Sequence, residues 1–196
     1  MKDLGLMHYF LGLEVWQRPG EILLSQGKYI VKHLERFGMV DYKFVSTSME
    51  LNFKKLSGSV AGLVLANPTE YLQLVGALMF LVNTRPNVCF VVNTLSQHII
   101  DPHNIHWVGA KKLLRYLRGT IDHGLRYIVG GMTLHGYTDV DWVGSVVDRK
   151  STSGCCFTLG SASISWMSRK QKLVALSTAE AEYIAASMAC CEAVWL

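Results

Sequence analysis

The stretches 132–143 (MTLHGYTDVDWV) and 151–166 (STSGCCFTLGSASISW) decide the fold of the last third of this chain. The first stretch alternates in polarity. The second contains two short runs rich in β-branched and aromatic residues, 153–159 and 163–166, which flank a Gly160-Ser161 turn. Because a period of two is typical of half-buried strands, these stretches predict three consecutive antiparallel strands.

A helix is predicted after the three strands. Ser177 and Glu180 have the spacing of a capping box, which satisfies free backbone N–H groups at the start of a helix. The apolar residues that follow at helical spacing form the expected buried stripe: Ala181, Ile184, Ala185, Met188 and Trp195. The pattern still runs at Leu196 without a Gly, Asn or Pro stop signal, so we expect the chain to be interrupted there.

The first two thirds of the chain predict a β-hairpin followed by helices. Residues 9–15 predict a strand, residues 22–24 its partner, and Arg18-Pro19-Gly20 the turn between them. The spacing of apolar residues then predicts four helices, one that stops at Gly38 and three over 69–81, 88–100 and 106–118. Together with the later strands, this order predicts the α+β class.

Composition and charge limit the classes of protein that the chain fits. The 196 residues are 50% apolar and only 17% charged, which excludes a disordered chain. A net charge of +4 neither requires nor excludes a nucleic-acid partner. The five cysteines show no Cys-x-x-Cys spacing, so we expect no zinc site and a reduced intracellular setting, in the cytoplasm or the nucleus. No signal peptide or membrane-spanning stretch is predicted.

Two groups of basic residues are candidates for nucleic-acid binding. One group lies on the polar face of the helix predicted over 106–118, and the other follows the last predicted strand: Lys111, Lys112, Arg115 and Arg118, and Arg169, Lys170 and Lys172. A solvated face of an amphipathic helix explains the first group equally well. Contact with a phosphate backbone would relieve the repulsion between its like charges.

The acidic residues near the predicted strands suggest a metal site. Asp139 and Asp141 lie two apart on one strand, which places both carboxylates on the same face, and carboxylate oxygens suit Mg²⁺ or Mn²⁺. A solvated edge strand is the alternative. Glu180 is explained by the capping box, whereas Glu182 remains available as a ligand. We expect structural roles for His103 and His106, because no further ligand completes a site around them.

Several blocks of the sequence resemble, in the same order, the C-terminal part of a copia-type LTR retrotransposon Pol polyprotein. The blocks are 1–5 (MKDLG), 9–15 (YFLGLEV), 24–26 (LSQ), 28–30 (KYI), 84–86 (TRP), 114–117 (LRYL), 119–120 (GT), 139–142 (DVDW), 148–154 (DRKSTSG) and 175–183 (ALSTAEAEY). The resemblance therefore extends over essentially the whole chain. Many long blocks in one order are far more specific than a single short motif.

The resemblance implies two domains. Residues 1–130 resemble the last part of a reverse transcriptase, with a primer-grip-like hairpin and thumb or connection helices. Residues 131–196 resemble the N-terminal half of a ribonuclease H-like domain. The family's ribonuclease cleaves the RNA strand of an RNA–DNA hybrid with two Mg²⁺ or Mn²⁺ ions held by acidic side chains.

The family's site residues are carried over by their motifs. Asp139, in Tyr-Thr-Asp, matches the catalytic Asp on the first strand, and Glu182, in Ala-Glu-Tyr, matches the catalytic Glu on the first helix. Both are implied metal ligands, and Asp141 is the alternate. The family's later acidic ligands and the polymerase's Tyr-x-Asp-Asp signature do not occur in this sequence. We therefore expect both active sites to be incomplete and this chain to be inactive.

Departures from the family pattern leave a second hypothesis open. Leu72 stands where Arg is usual, Asn87 where Asp is usual, and Val140 and Ser145 where Ala and Asp are common. In this second hypothesis, the chain is a non-catalytic, nucleic-acid-binding remnant of a degraded element. An unfinished ribonuclease H sheet would leave an unpaired edge and an uncovered apolar face, which predicts poor solubility or pairing with another chain. If a longer product exists, the remainder of the Pol polyprotein is an expected partner.

Overall fold

The computed structural model describes residues 5–49, 63–65, 67–145 and 148–196. Residues 1–4 of the block MKDLG lie outside the described residues. The described elements are, in chain order, β1 (Tyr9–Phe10), β2 (Leu13–Arg18), β3 (Glu21–Ser25), α1 (Gly27–Arg36), α2 (Pro68–Leu81), a short 3-10 helix (Pro86–Val88), α3 (Cys89–Ser96), α4 (Asn104–Arg118), β4 (Gly124–Ile128), β5 (Leu134–Asp141), β6 (Thr152–Leu159), β7 (Ala162–Lys170) and α5 (Thr178–Trp195). The predicted α+β class is confirmed.

The first sheet contains β1, β2, β3 and β4 in that order, and neighbouring strands are antiparallel. The predicted hairpin is confirmed as β2 and β3. The single strand predicted over 9–15 is instead divided by a turn at Leu11 and Gly12, so that Tyr9 pairs with Glu14. At this turn the chain reverses its direction between β1 and β2.

The sequence analysis missed β4, which pairs with β3 from Glu21 opposite Ile128 to Ser25 opposite Gly124. The pairing requires glycine at residue 124, because a Cβ there would lie 2.2 Å from the backbone oxygen of Leu24. A five-residue strand whose partner lies about a hundred residues earlier leaves little signal in the local pattern.

The main core is formed by α1, α2, α3 and α4. Its fully buried side chains recur at helical spacing, and they include Ile30, Leu34, Leu74, Leu78, Leu95, Leu113, Leu114 and Leu117. The predicted amphipathic helix is α4, which begins two residues earlier than expected. The reason is a cap at its N-terminus, where the His106 imidazole accepts a hydrogen bond from the backbone N–H of His103 at 2.9 Å.

A buried arginine connects the end of α4 to the turn between α2 and α3. Arg85 is 2% exposed and donates to the Thr120 carbonyl at 2.8 Å and to the Thr120 hydroxyl at 2.7 Å. It also donates to the Asn87 side-chain oxygen at 3.3 Å. Each of these three acceptors is uncharged, and burial lowers the pKa of Arg85.

The second sheet contains β5, β6 and β7, and both pairs of neighbours are antiparallel. The three predicted strands are therefore confirmed, but β7 continues to Lys170 instead of ending at Trp166. Polar residues close to the end of β7 concealed this extension, which pairs with the start of β6. In the register, Asp139 lies opposite Gly154 and Gly136 opposite Phe157.

Helix α5 covers one face of the second sheet. Ser153, Cys155 and Phe157 are buried on that face. On the same side, Gln171 donates from its amide to the Ser153 hydroxyl and to the Ala181 carbonyl, both at 2.9 Å. The helix therefore closes the small core of this half of the structure.

The predicted start of α5 is confirmed in part. The Ser177 hydroxyl accepts from the Glu180 N–H at 3.2 Å, but the Glu180 carboxylate accepts from the Leu176 N–H and not from that of Ser177. Ala181 is fully buried as expected, whereas Trp195 is 79% exposed and its predicted burial is wrong. Helical periodicity does not tell how far the sheet beneath a helix extends.

Hydrogen bonds connect the second sheet to the preceding elements. Trp166 donates from its indole N–H to the Val82 carbonyl at 3.0 Å, and the Tyr127 hydroxyl donates to the Ser163 carbonyl at 2.8 Å. The predicted domain boundary at 130/131 falls in the connection between β4 and β5 and stays a prediction. None of the helices in the described part of the chain is long and apolar enough to span a membrane.

We expect Asn87→Asp to raise the free energy of unfolding by about 1 kcal/mol, because a carboxylate would compensate the buried Arg85 charge. Urea titration at neutral pH measures the change. Asn87 accepts a hydrogen bond from Arg85, and Asn83→Asp, which makes the same charge change at another exposed asparagine, serves as the control. Equal effects of the two substitutions on the free energy of unfolding would contradict a specific compensation of the Arg85 charge by residue 87.

Candidate functional site

The second sheet brings Asp139 and Asp141 to one groove. Both carboxylates belong to the face of β5 that is turned toward α3, as their spacing predicts. The groove has a volume of about 600 Å³, and Pro86 and Phe90 form the wall opposite the sheet. The structure therefore places the two aspartates on one face beside a partly apolar cleft.

The two aspartates face uncharged neighbours across the sheet. Asp139 is exposed, and one of its carboxylate oxygens accepts from the Val140 N–H at 2.8 Å. Asp141 is half-buried at the end of β5. Their direct cross-strand neighbours on β6 are Gly154 and Thr152. Both carboxylates therefore face the groove, and the residue directly opposite each of them on β6 carries no positive charge.

The third predicted carboxylate, Glu182, lies on α5, which packs against the opposite face of the sheet. Glu182 is exposed in the first part of that helix. That Asp139, Asp141 and Glu182 form one ligand set stays a prediction.

A divalent metal ion needs more ligands than the described side chains bring together. Outside the gaps at 1–4, 50–62, 66 and 146–147, no group of three or more His, Cys, Asp or Glu side chains lies close enough to hold one. A Mg²⁺ or Mn²⁺ ion requires several oxygen ligands around it. The described carboxylates therefore do not form a complete metal site by themselves.

The basic residues of α4 bind the loop that follows α1. Arg115 donates to the Lys43 carbonyl at 2.7 Å, and Arg118 donates to the Tyr42 carbonyl. Lys111 places its ammonium group 4.9 Å from the ring centroid of Trp107. These groups are half-buried, so much of the basic face of α4 has a structural role that its periodicity could not reveal.

The second basic group lies at the end of β7. Arg169 and Lys172 are exposed, whereas Lys170 forms an ion pair with Asp148 at 3.1 Å. Partial burial raises the pKa of Asp148, but hydrogen bonds from Ser145 and Lys170 outweigh burial and leave it below its usual value. Arg169 and Lys172 are therefore the more accessible cations of this group.

No protein-family model and no solved structure matches the chain. The sequence is 42% identical, over 97% of its length, to the retrovirus-related Pol polyprotein from transposon RE2 of Arabidopsis thaliana. It is 40% identical, over its full length, to that from transposon TNT 1-94 of Nicotiana tabacum. An uncharacterized mitochondrial protein of Arabidopsis thaliana, AtMg00810, is 39% identical over the whole chain and 80% of its own length. The chain belongs to the copia-type retrotransposon Pol family.

The family assignment covers only one segment of these Pol polyproteins. The chain spans 13% of the RE2 polyprotein and 15% of the TNT 1-94 polyprotein. It is therefore similar to a segment of much longer proteins, in agreement with the resemblance found in the motifs. The order of blocks in the sequence was sufficient to find the family.

The sequence analysis did not identify His98, which lies in a cluster of imidazoles beside the second sheet. The rings of His98 and His106 stack with centroids 3.9 Å apart, and His103 contacts Asp101 at 3.2 Å. His106 is 1% exposed and caps α4, so its structural role is confirmed. Burial, together with the neighbouring imidazoles and Lys170, lowers the pKa of His98 to about 4.

This cluster predicts a loss of stability in acid. Because His98 takes up a proton near pH 6.5 when unfolded but near pH 4 when folded, the unfolded state binds more protons between these values. The contribution of His98 to the free energy of unfolding is present above pH 6.5 and is lost as the pH falls toward 4. We expect up to about 3 kcal/mol from this one group.

Urea unfolding of His98→Gln at pH 4.5 and pH 7.5 measures this contribution. The variant should show a smaller difference between the two pH values than the parent chain. His123→Gln, at an exposed histidine, is the matched control and should leave the difference unchanged. The same pH dependence in the parent chain and in His98→Gln would refute the role of His98.

Proposed function

We propose that this chain is the nucleic-acid-binding segment of a retrotransposon Pol protein that joins the end of a reverse transcriptase to the beginning of a ribonuclease H domain. In this proposal residues 1–130 belong to the reverse transcriptase and 131–196 to the ribonuclease H domain. The ligand is an RNA–DNA hybrid. The proposal rests on family membership and on the charge distribution of the second sheet.

The observation that carries the proposal is the register across β5, β6 and β7. Asp141 lies opposite Thr152, which lies opposite Lys170, so these three residues share the groove face at one end of the sheet. The next row contains Val140, Ser153 and Arg169 and belongs to the other face of the sheet. Neighbouring strands lie about 4.8 Å apart, so the backbone of Lys170 stands roughly 10 Å from that of Asp141. A phosphate backbone that passes along this end of the sheet would contact Arg169 and Lys172 and lie close to Asp141.

Hydrolysis of the RNA strand is proposed for the parent polyprotein. There Asp139, Asp141 and Glu182 would be carboxylate ligands of Mg²⁺ or Mn²⁺, with further ligands from other residues. Such ions would supply an activated water and stabilise the leaving oxygen. In this chain the proposed roles are narrower: Arg169 and Lys172 bind phosphates, and Asp139 and Asp141 form the acidic side of the groove.

Fluorescence anisotropy with a labelled RNA–DNA hybrid tests the proposed binding. We expect affinity to fall as salt rises, and the combined variant Arg169→Gln with Lys172→Gln to bind more weakly. Each lost phosphate contact should reduce the slope of log affinity against log salt by about 0.9. The variant should affect hybrids of different sequence equally, because phosphate contacts do not read bases.

A charge-matched variant distinguishes a specific binding surface from a general electrostatic attraction between the chain and the hybrid. Lys32→Gln with Lys43→Gln removes two exposed cations elsewhere and changes the net charge equally. This control should leave affinity close to that of the parent chain. If both double variants weaken binding to the same degree, the end of β7 is not the binding surface.

We expect the purified chain to leave the RNA strand of the hybrid intact in Mg²⁺ or Mn²⁺, because its described carboxylates do not form a complete ligand set. Gel analysis of an end-labelled RNA strand measures cleavage. Metal-dependent cutting that disappears in both Asp139→Asn and Glu182→Gln would show the opposite, namely that the chain completes the site.

A further inference from the structure

Two exposed aromatic rings lie on the loop that follows α1. Tyr42 retains 52% of its accessible surface and Phe44 retains 60%. The Phe44 side chain packs against Gly119 at the end of α4, since a Cβ at residue 119 would stand 3.1 Å from it. The loop is thereby held beside α4 while both rings stay open to solvent.

Two arginines of α4 hold this loop with only part of their hydrogen-bond donors. Arg115 donates from Nε to the Lys43 carbonyl at 2.7 Å, and Arg118 donates from Nη1 to the Tyr42 carbonyl. Both acceptors are uncharged, and among the described residues no carboxylate forms an ion pair with either arginine. The remaining guanidinium N–H groups can therefore bind an anion while the loop stays in place.

The arginines that hold the loop belong to a row of cations on α4. Lys111, Arg115 and Arg118 follow one another at intervals of four and three residues, so they are neighbours on one face of the helix. The helix contains four Lys and Arg residues and no Asp or Glu. The negative end of its dipole is equivalent to about half a unit charge, so most of this positive charge stays uncompensated.

We propose that the α4 surface, formed by Tyr42, Phe44, Arg115 and Arg118, binds single-stranded nucleic acid. Unpaired bases stack on the two rings, and the two arginines bind phosphates. The α4 surface contains none of the residues proposed to bind the RNA–DNA hybrid. The single strand and the hybrid therefore bind different parts of the chain.

Stacking explains why the ligand is a single strand. Proteins bind single strands by combining cations, which follow the phosphates, with aromatic side chains, which stack on the bases. In a duplex or a hybrid the bases are already stacked on one another, so the rings of Tyr42 and Phe44 could not reach their faces. Charge alone makes Arg115 and Arg118 candidates for phosphate contacts, and the adjacent rings add the preference for unpaired bases.

Fluorescence anisotropy with labelled oligothymidylate, and with an RNA–DNA hybrid of equal length, tests the proposal. The double variant Tyr42→Leu with Phe44→Leu keeps apolar side chains beside Gly119 but removes both rings. We expect its dissociation constant for oligothymidylate to rise at least about tenfold, because two stacked bases are lost. The slope of log affinity against log salt should stay unchanged, because the phosphate contacts of the arginines remain.

Matched variants separate stacking on the α4 surface from other effects. Tyr183→Leu with Trp195→Leu removes two rings that are 78% and 79% exposed elsewhere, and it should leave the affinity for oligothymidylate unchanged. Tyr42→Trp with Phe44→Trp preserves two stacking faces and should retain binding. Arg169→Gln with Lys172→Gln should weaken binding of the hybrid alone, so failure of the proposed hybrid site and failure of the α4 surface give different results.

Photochemical cross-linking locates the bound strand directly. A single strand that contains 5-iodouracil should cross-link to peptides that include residue 42 or 44, which mass spectrometry identifies. Circular dichroism shows whether each variant is folded. The proposal would be overturned by a parent chain that does not bind oligothymidylate, by unchanged affinity in Tyr42→Leu with Phe44→Leu, by an equal loss of hybrid affinity in that variant, or by cross-links to other residues alone.

Discussion

The burial of the Arg85 guanidinium is the constraint on which the rest of the structure depends. A buried cation must have its donors satisfied, and Arg85 satisfies them with the carbonyl and hydroxyl of Thr120 and with Asn87. These bonds hold the C-terminal end of α4 against the turn that precedes α3. The negative end of the helix dipole of α4 lies beside this positive charge, which favours the same arrangement.

The consequences of this contact extend along the chain. Thr84, next to Arg85, donates to Gln26 between β3 and α1, so the same turn also orients the first sheet. The end of α4 leads directly into β4, which completes that sheet and contacts β7 through Tyr127. The position of the second sheet relative to the helices therefore follows from contacts that begin at one buried side chain. This position also determines the width of the groove that contains Asp139.

Local periodicity predicted the elements whose partners are close in sequence. The strands β5, β6 and β7 and the helix α5 follow one another, and their patterns are sufficient to identify them. β4 was missed because its partner β3 is distant in sequence, and the role of Arg115 and Arg118 was missed because their acceptors are backbone carbonyls. Periodicity placed Asp139 and Asp141 on one face correctly. It does not tell how near Glu182 lies to them, since the face of a sheet that a helix covers depends on the connection between the helix and the sheet.

The register of the second sheet also has a consequence for how this sequence can change over time. Gly136 lies opposite Phe157, and a Cβ at residue 136 would stand 2.5 Å from the phenyl ring. Phe157 is in turn buried beneath α5. The two positions share one fixed volume, so a larger residue at 136 requires a smaller one at 157. Related sequences should therefore vary these two positions jointly, as a compensating pair.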